Sequence, residues 1–307
     1  MSSRFLTTWI DEFLNSHPVR SNSLLITIYG DFLAAHGGSV WLGSLIRLVA
    51  PMRMNERLVR TSVYRLAQEK WLVSEAIGRK SFYSLTASGR RRFEHAYLRI
   101  YHQAKSQWNG EWRLLLFPPG LPESAREALR RELMWEGYGQ LAPGILAHPF
   151  TDSDSLLEIL EDAGAHDKVV AMRATSLAHL SSRPIQDLAR HCWKLDALAA
   201  RYAEFLELFR PVLRTLKIAR DLDPEQCFIV QALLMHEYRR ALLNDPQLPD
   251  ELLPTNWAGQ LARQLCTDVY RLTWRPAQNH LLENCTTASG PLPPAAAYFY
   301  ERFGGLE

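Results

Sequence analysis

Cysteine is scarce and dispersed: the 307 residues hold 4, at positions 192, 227, 266 and 285. No C-x-x-C pair and no zinc-finger spacing of Cys and His occurs, which excludes a thiolate-built zinc module and a disulfide scaffold. His191 and Cys192 are adjacent, but no second pair accompanies them. The four thiols read as reduced residues of a cytoplasmic protein. No apolar run approaches the roughly 18–20 residues that cross a bilayer, so no membrane partner is expected. Met1 to Arg20 lacks a basic stretch followed by an apolar core, so no secretory signal is expected either. G-x-S-x-G, Walker A and H-E-x-x-H are missing, as are repeats and low-complexity tracts. Neither enzymatic chemistry nor a cofactor is expected.

What is present is enough apolar content, 47%, for a core and for two or three domains. The net charge of +2 hides an asymmetry: residues 1–105 carry 15 Lys/Arg against 7 Asp/Glu, and residues 106–307 carry 20 against 26. A basic first third on an acidic remainder points to an anionic partner for that third alone.

Three helical patterns follow one another there. The first, Ser23 to about Ala35, carries Leu24, Leu25, Ile28 and Phe32, and tandem glycines at 37 and 38 end it. The second, about Trp41 to Ala50, carries Leu42, Leu45, Ile46 and Val49 and stops near Pro51. Asn55 suits the N-cap of the third, with Glu56 in its first turn. In that helix, about Glu56 to Lys70, Val59, Val63 and Leu66 share one narrow face at about 100° per residue. Arg57, Arg60, Thr61, Tyr64 and Gln68 fall opposite, flanked by Arg65. Guanidinium, hydroxyl and amide groups on one face suit phosphates and base edges. Taken alone, such a face reads first as an ordinary solvated surface.

The next residues change the balance. Trp71 to Ile77 and Ser81 to Leu85 read as two short strands around Gly78-Arg79-Lys80. A basic hairpin directly after an amphipathic basic helix is the layout of a winged helix-turn-helix, with Arg79 and Lys80 at the tip meeting phosphates or the minor groove. Thr86 to Gly89 then leads into a helix bearing Arg90, Arg91 and Arg92, suited to linking domains or supporting a dimer.

After Trp108-Asn109-Gly110-Glu111-Trp112 the pattern alternates: a strand at Trp112 to Phe117 broken by Pro118-Pro119-Gly120, a helix at 122–136, and a strand at about Leu141 to Ala147. A helix at about Ser155 to Asp162 and a strand at Lys168 to Met172 follow, suggesting a ferredoxin-like unit. Asp152 and Asp154 are read as capping groups for that helix. Helices are expected at about 185–217, 224–243 and 256–271, with a less regular stretch from Pro276. The fold class is therefore α+β, mainly helical, in three parts: a winged helix-turn-helix with linker helix over 1–105, a ferredoxin-like domain over 106–180, and a helical effector and dimerisation domain over 181–307.

The chain closely resembles the PaaX family of repressors of phenylacetic acid degradation operons. The residues that carry the likeness include Tyr29-Gly30-Asp31, Trp41-Leu42-Gly43-Ser44-Leu45, Val59-Arg60-Thr61, Ser81-Phe82-Tyr83-Ser84-Leu85 and Trp108-Asn109-Gly110. The most specific stretch runs from Asp245-Pro246 through Leu248-Pro249 and Glu251-Leu252-Leu253-Pro254 to Asn256-Trp257-Ala258-Gly259, and Arg302-Phe303-Gly304-Gly305 fits near the end. The resemblance implies a homodimeric repressor of aerobic phenylacetate catabolism that binds double-stranded operator DNA and is released by phenylacetyl-coenzyme A. It also implies a middle domain similar to the Cas2 proteins. Lys80 stands where relatives often carry Arg, which keeps the charge and loses bidentate geometry.

Two questions stay open at this level. A Cas2-like domain raises a metal-dependent nuclease as the alternative, but the strand Trp112 to Phe117 ends without the carboxylate such an enzyme uses. An acyl-coenzyme A, phenylacetyl or another aromatic one, needs cations and an apolar slot. Candidates are His236, Tyr238, Arg239 and Arg240 on one helix, with Trp193 and Trp257 elsewhere; the alternative is that the aromatics are core and the arginines solvated or ion-paired.

Overall fold

The structure, a computed structural model, describes residues 2–102, 107–117, 122–149, 153–177, 179–180 and 184–306. The break at Pro118-Pro119-Gly120, the capping residue Asp152 and the boundaries placed at 105/106 and 180/181 rest on residues outside that set.

The chain opens with a helix that the sequence reading lacks, α1 (Ser2–Ser16), whose Leu6, Trp9, Ile10 and Phe13 recur at i, i+3, i+4 and i+7 and are buried. The helix expected over Ser23–Ala35 is not α-helical throughout. α2 (Ser21–Thr27) widens into a π-helical turn (Ile28–Leu33) and tightens into a 3-10 turn (Ala34–His36). Gly37 and Gly38, at φ 85° and 72°, take the left-handed backbone that ends it. A short strand the sequence reading also lacks, β1 (Ser39–Trp41), precedes α3 (Leu42–Val49). Then come α4 (Glu56–Gln68), β2 (Leu72–Ile77), β3 (Lys80–Leu85) and α5 (Ala87–Tyr101). The sheet order β1-β3-β2 is antiparallel, and the whole is a winged helix.

The middle segment runs β4 (Glu111–Leu116), α6 (Glu123–Trp135), β5 (Gly139–Ala142), β6 (Ile145–His148), α7 (Ser153–Asp162) and β7 (Val170–Thr175). Its antiparallel order β5-β6-β4-β7 is the ferredoxin-like βαββαβ arrangement. The single strand expected over Leu141–Ala147 is instead a hairpin: Gly144, at φ 78°, turns the chain between Ala142 and Ile145. Leu115, Leu129, Leu133 and Leu146 form the core under the two helices.

The helix expected over 185–217 is two, α8 (Ile185–Cys192) and α9 (Leu195–Ile218), separated where Lys194 adopts φ 50°. α10 (Pro224–Leu242) matches expectation. α11 (Ala258–Asn284) runs straight through Pro276, where the sequence reading ends regular structure. A proline removes one helical hydrogen bond, but Trp274, Ala277, Gln278 and Leu281 around it are buried, and that packing holds the helix. A hairpin of β8 (Thr286–Thr287) and β9 (Gly290–Pro291) and a turn of helix, α12 (Ala297–Tyr300), complete the chain.

Two units result: residues 1–103 with 204–240 and 261–307, and residues 104–203 with 241–260. In the first, the winged helix and C-terminal helices share one interior. The Trp9 indole donates to the Leu208 carbonyl at 3.1 Å. His36 is held between the Gln278 side chain and the Pro293 carbonyl, at 2.7 and 2.6 Å. At the centre lies Arg302, fully buried, whose Nη1 donates to the Asp31 carbonyl at 2.7 Å and lies 3.4 Å from its carboxylate. The Tyr101 hydroxyl and the Gln231 amide donate to the same carboxylate. The Arg302 guanidinium also sits 4.5 Å from the ring centres of Tyr101 and Phe299.

Removing one member of a buried ion pair strands the other. Asp31→Ala should therefore destabilise the first unit by about 3–5 kcal/mol, and adding Arg302→Met should recover part of the loss. Chemical denaturation followed by circular dichroism reads both; an unchanged midpoint for Asp31→Ala would show that the pair does not hold this interior together.

Candidate nucleic-acid interface

The site starts from the two faces of α4. Val59, Ser62, Val63 and Leu66 are buried, and the Ser62 hydroxyl donates to Ser21 at 2.9 Å. Burying that face leaves Arg57, Arg60, Thr61, Tyr64, Arg65 and Gln68 exposed, Tyr64 at 63% of its full area. The start of the helix is held by Asn55, whose side chain accepts the Leu58 N–H at 2.9 Å. Two of the face residues are engaged at rest. Arg60 pairs with Glu56 at 2.7 Å, one turn back, and the Thr61 hydroxyl donates to the Arg57 carbonyl at 2.9 Å. An exposed pair of this kind contributes little stability and is readily exchanged for a phosphate or base. With its hydroxyl bonded to its own helix, Thr61 offers its methyl outward, which suits the thymine methyl.

The wing follows on the same side of the sequence. Phe82 and Leu85 of β3 and Leu72 of β2 are buried, while the rest of β2 is exposed. Arg79 lies in the turn beside Gly78 (φ 60°), and Lys80 opens β3 opposite Ile77. The Lys80 ammonium lies 4.5 Å over the Trp41 ring, with Arg47 5.1 Å from the same ring. Trp41 and Arg47 escaped the sequence reading, because the cluster depends on β1 pairing with β3, which sets Trp41 opposite Phe82.

The wing and the end of α4 are clamped by α5. The Thr86 side chain caps α5 at Gly89 N–H (2.9 Å), and Ser88 donates to the Lys70 carbonyl at 2.9 Å. Trp71, directly after the helix, meets Phe93 edge to face at 5.3 Å and carries Arg92 over its ring at 4.8 Å. Gly89 is required there: a Cβ would lie 2.4 Å from the Trp71 carbonyl.

The six residues considered for an effector are not gathered in one place. In the second unit, Trp193 stacks on Trp112 at 5.9 Å and donates to the Gly137 carbonyl at 2.7 Å. Trp257, also there, is buried against Tyr202, whose hydroxyl donates to Asp245 at 2.6 Å. In the first unit, Tyr238 is buried against Phe205, and Arg240 is exposed and pairs with Glu237 at 2.9 Å. His236 is buried beside Thr27. Arg239 donates to the Thr27 hydroxyl at 2.9 Å and lines a cavity of about 490 Å³. As for the nuclease alternative, β4 ends on Leu116, followed by the buried Phe117. Burial pushes the thiols of Cys227 and Cys285 up to about 12, which favours the protonated form.

Three family models match along the chain: PaaX-like protein over residues 20–89, the PaaX protein central Cas2-like domain over 105–186, and the PaaX-like protein C-terminal domain over 193–283. Among curated proteins, the chain is similar to the transcriptional repressor PaaX of Escherichia coli (strain K12), at 40% identity over 98% of this chain and 95% of that protein. Among solved structures, it is similar to the uncharacterized protein Rv0674 from Mycobacterium tuberculosis, at 25% identity and a TM-score of 0.56, covering 85% of this chain and 99% of that one.

His236 has a measurable consequence. Burial first, then the charges of Arg239 and Arg240, push its imidazole down to about 4, so it is neutral in the fold and its 4.0 Å contact with Glu237 is not an ion pair. The unfolded chain takes up the proton near 6.5, the folded chain only near 4. Stability contributed by this residue is therefore complete above pH 6.5 and falls as the pH drops toward 4. Denaturation midpoints across that range should decline less steeply for His236→Gln than for the parent; identical slopes would count against a buried neutral imidazole.

Proposed function

The chain belongs to the PaaX-like protein family, that of a transcriptional repressor, and on that premise we propose that it represses phenylacetate catabolism genes by binding duplex operator DNA through α4 and the β2–β3 wing. One observation carries this reading. The cationic and hydrogen-bonding side chains of α4 (Arg57, Arg60, Thr61, Tyr64, Arg65 and Gln68) all lie exposed on a helix whose other face is buried. At about 1.5 Å per residue, 13 residues span about 20 Å, a length that seats in a major groove. Arg57, Arg60 and Gln68 supply base-edge chemistry, Tyr64 and Arg65 reach phosphates, and Arg79 and Lys80 grip the flanking backbone.

The protein acts as a homodimer that sets one α4 from each subunit in successive major grooves of an inverted repeat, about 34 Å apart. It works in the cytoplasm, where operator DNA is; among the described residues no helix is long and apolar enough to cross a membrane. The inducer is phenylacetyl-coenzyme A. Release requires that the inducer favour a conformation in which the two helices mismatch the operator, since only differential affinity shifts an equilibrium. Of the residues considered for the effector, Arg239 has surroundings that support the reading, because it lines a cavity of ligand size.

A gel shift with promoter DNA, with and without phenylacetyl-coenzyme A, tests the whole. The inducer should abolish the shifted band; release by a different aromatic acyl-coenzyme A alone would reassign the inducer, and magnesium-dependent cleavage of the DNA would overturn the repressor reading. Arg60→Ala should cost about 1–3 kcal/mol on operator and little on random DNA if the guanidinium reads a base. Arg79→Ala should weaken both alike and reduce the salt slope by about one. An equal loss on both DNAs for Arg60→Ala would make it a phosphate contact instead.

A further inference from the structure

The cavity on Arg239 lies wholly within the first unit, walled by α5, by the π-helical and 3-10 turns after α2, and by the segment around Tyr298. At about 490 Å³ it falls within the range of small-molecule sites. Leu85, Phe93, Tyr97 and Ala96 give it an apolar, aromatic wall, and the exposed Arg90 marks its mouth. Against that wall stands a cation in need of a partner. One Arg239 nitrogen, Nη1, donates to Thr27 at 2.9 Å, but its Nε is buried with no hydrogen-bond partner among the described residues. The Asp31 carboxylate in the same wall is taken up by Tyr101, Gln231 and Arg302. Arg239 is half-buried, and a guanidinium beside an apolar wall with a donor unmet gains from a ligand oxygen that accepts from it.

Phe93, in the cavity wall, also touches the segment that follows α4. A methyl group on Gly30 would lie 2.7 Å from the Phe93 ring, so Phe93 has no room to retreat toward Gly30. Its other neighbour is Trp71, edge to face at 5.3 Å, at the foot of α4. Arg90 ties the same helix to the Gly37 carbonyl at 2.7 Å.

We infer that this cavity seats the acyl end of the inducer, with an aromatic ring against Phe93 and Tyr97 and a carboxyl or thioester oxygen accepting from the Arg239 guanidinium, and that Phe93 passes occupancy to Trp71 and so to α4 and the wing. This rests on the effector reading above and adds its place and its route to the DNA. The remainder of a coenzyme A thioester leaves through the mouth, where Arg90 meets its phosphates. Trp71 is here a positioning residue that touches neither ligand nor, in this account, the base edges.

Isothermal titration of the full-length protein with phenylacetyl-coenzyme A, and separately with phenylacetate, tests the assignment. Arg239→Met should bind the thioester about ten- to a hundredfold more weakly, as expected for a lost hydrogen bond to a charged group. Ala96→Phe, which fills the space from α5, should abolish the heat. Arg239→Met should keep the parent's affinity for promoter DNA and Ala96→Phe the parent's denaturation midpoint, which separates a lost site from a lost fold. Trp71→Leu should bind the thioester as the parent does and yet stay on the DNA in its presence. A parent that binds while both cavity variants bind equally well overturns the site and leaves the effector reading standing. A parent that binds neither compound overturns both. Binding of phenylacetate as tight as that of the thioester assigns the Arg239 contact to a carboxylate; tighter binding of the thioester assigns it to the acyl oxygen.

Discussion

The interior of the first unit depends on one charge pair. Asp31 belongs to the π-helical turn of the winged helix, Arg302 to the last turn of the chain, and they meet with the Arg302 guanidinium fully buried. Burial alone would push that guanidinium toward losing its proton; Tyr101, Tyr270 and Asp31 hold it charged. Each partner comes from a different element: Tyr101 from α5, Gln231 from α10, Tyr270 from α11. Such a cluster is stable only when complete, because each unmet donor or charge in a low-dielectric interior is expensive. Its cost is lessened by the rings of Tyr101 and Phe299, which face the guanidinium where no oxygen does. The consequence is that the helix preceding the DNA-reading elements, the linker helix and the C-terminal tail take one arrangement together.

That arrangement gives α5 two duties. Its first turn is bonded to the carbonyl that follows α4, through Ser88, and its Phe93 packs on Trp71. The same helix walls the cavity on Arg239, through Phe93 and Tyr97 among others, and closes the Asp31 cluster through Tyr101. The linker helix is thus bonded both to the Asp31 cluster and to the segment that follows α4. The exposed face of α4 needs no such precision at rest. Arg60 rests on Glu56 in solvent, a pairing weak enough to be given up when DNA arrives.

Much of this was legible in the residues. Spacing at i, i+3 and i+4 assigned the buried and exposed sides of α4, Asn55 marked its start, and Gly78 between two β-rich runs marked the wing. Alternation alone gives the middle domain as strand-helix-strand-helix-strand and suggests a ferredoxin-like unit; the fourth strand comes from the hairpin around Gly144, which splits the expected strand into β5 and β6. The likeness of the signature from Asp245 to Gly259 to the PaaX family was visible as sequence, while its physical role was not. Asp245 accepts the Gln247 N–H at 2.7 Å and the Tyr202 hydroxyl at 2.6 Å, and Trp257 is buried, so these residues hold a loop rather than display it. The opening helix carries its signal in Leu6, Trp9, Ile10 and Phe13, spaced at i, i+3, i+4 and i+7, a pattern that the sequence reading does not use.

What the sequence determined on its own is what local periodicity and turn chemistry encode: the winged helix, the two-faced α4, the basic tip and the alternation of strand and helix in the middle domain. Tertiary structure decided the rest. α11 continues past Pro276 because buried contacts on either side outweigh one missing hydrogen bond. Trp41 becomes a platform for Lys80 only when β1 pairs with β3. Arg239 faces a cavity, while its neighbours Tyr238 and Arg240 are respectively core and surface, because residues adjacent on a helix point about 100° apart and only the packing around it says which direction is empty.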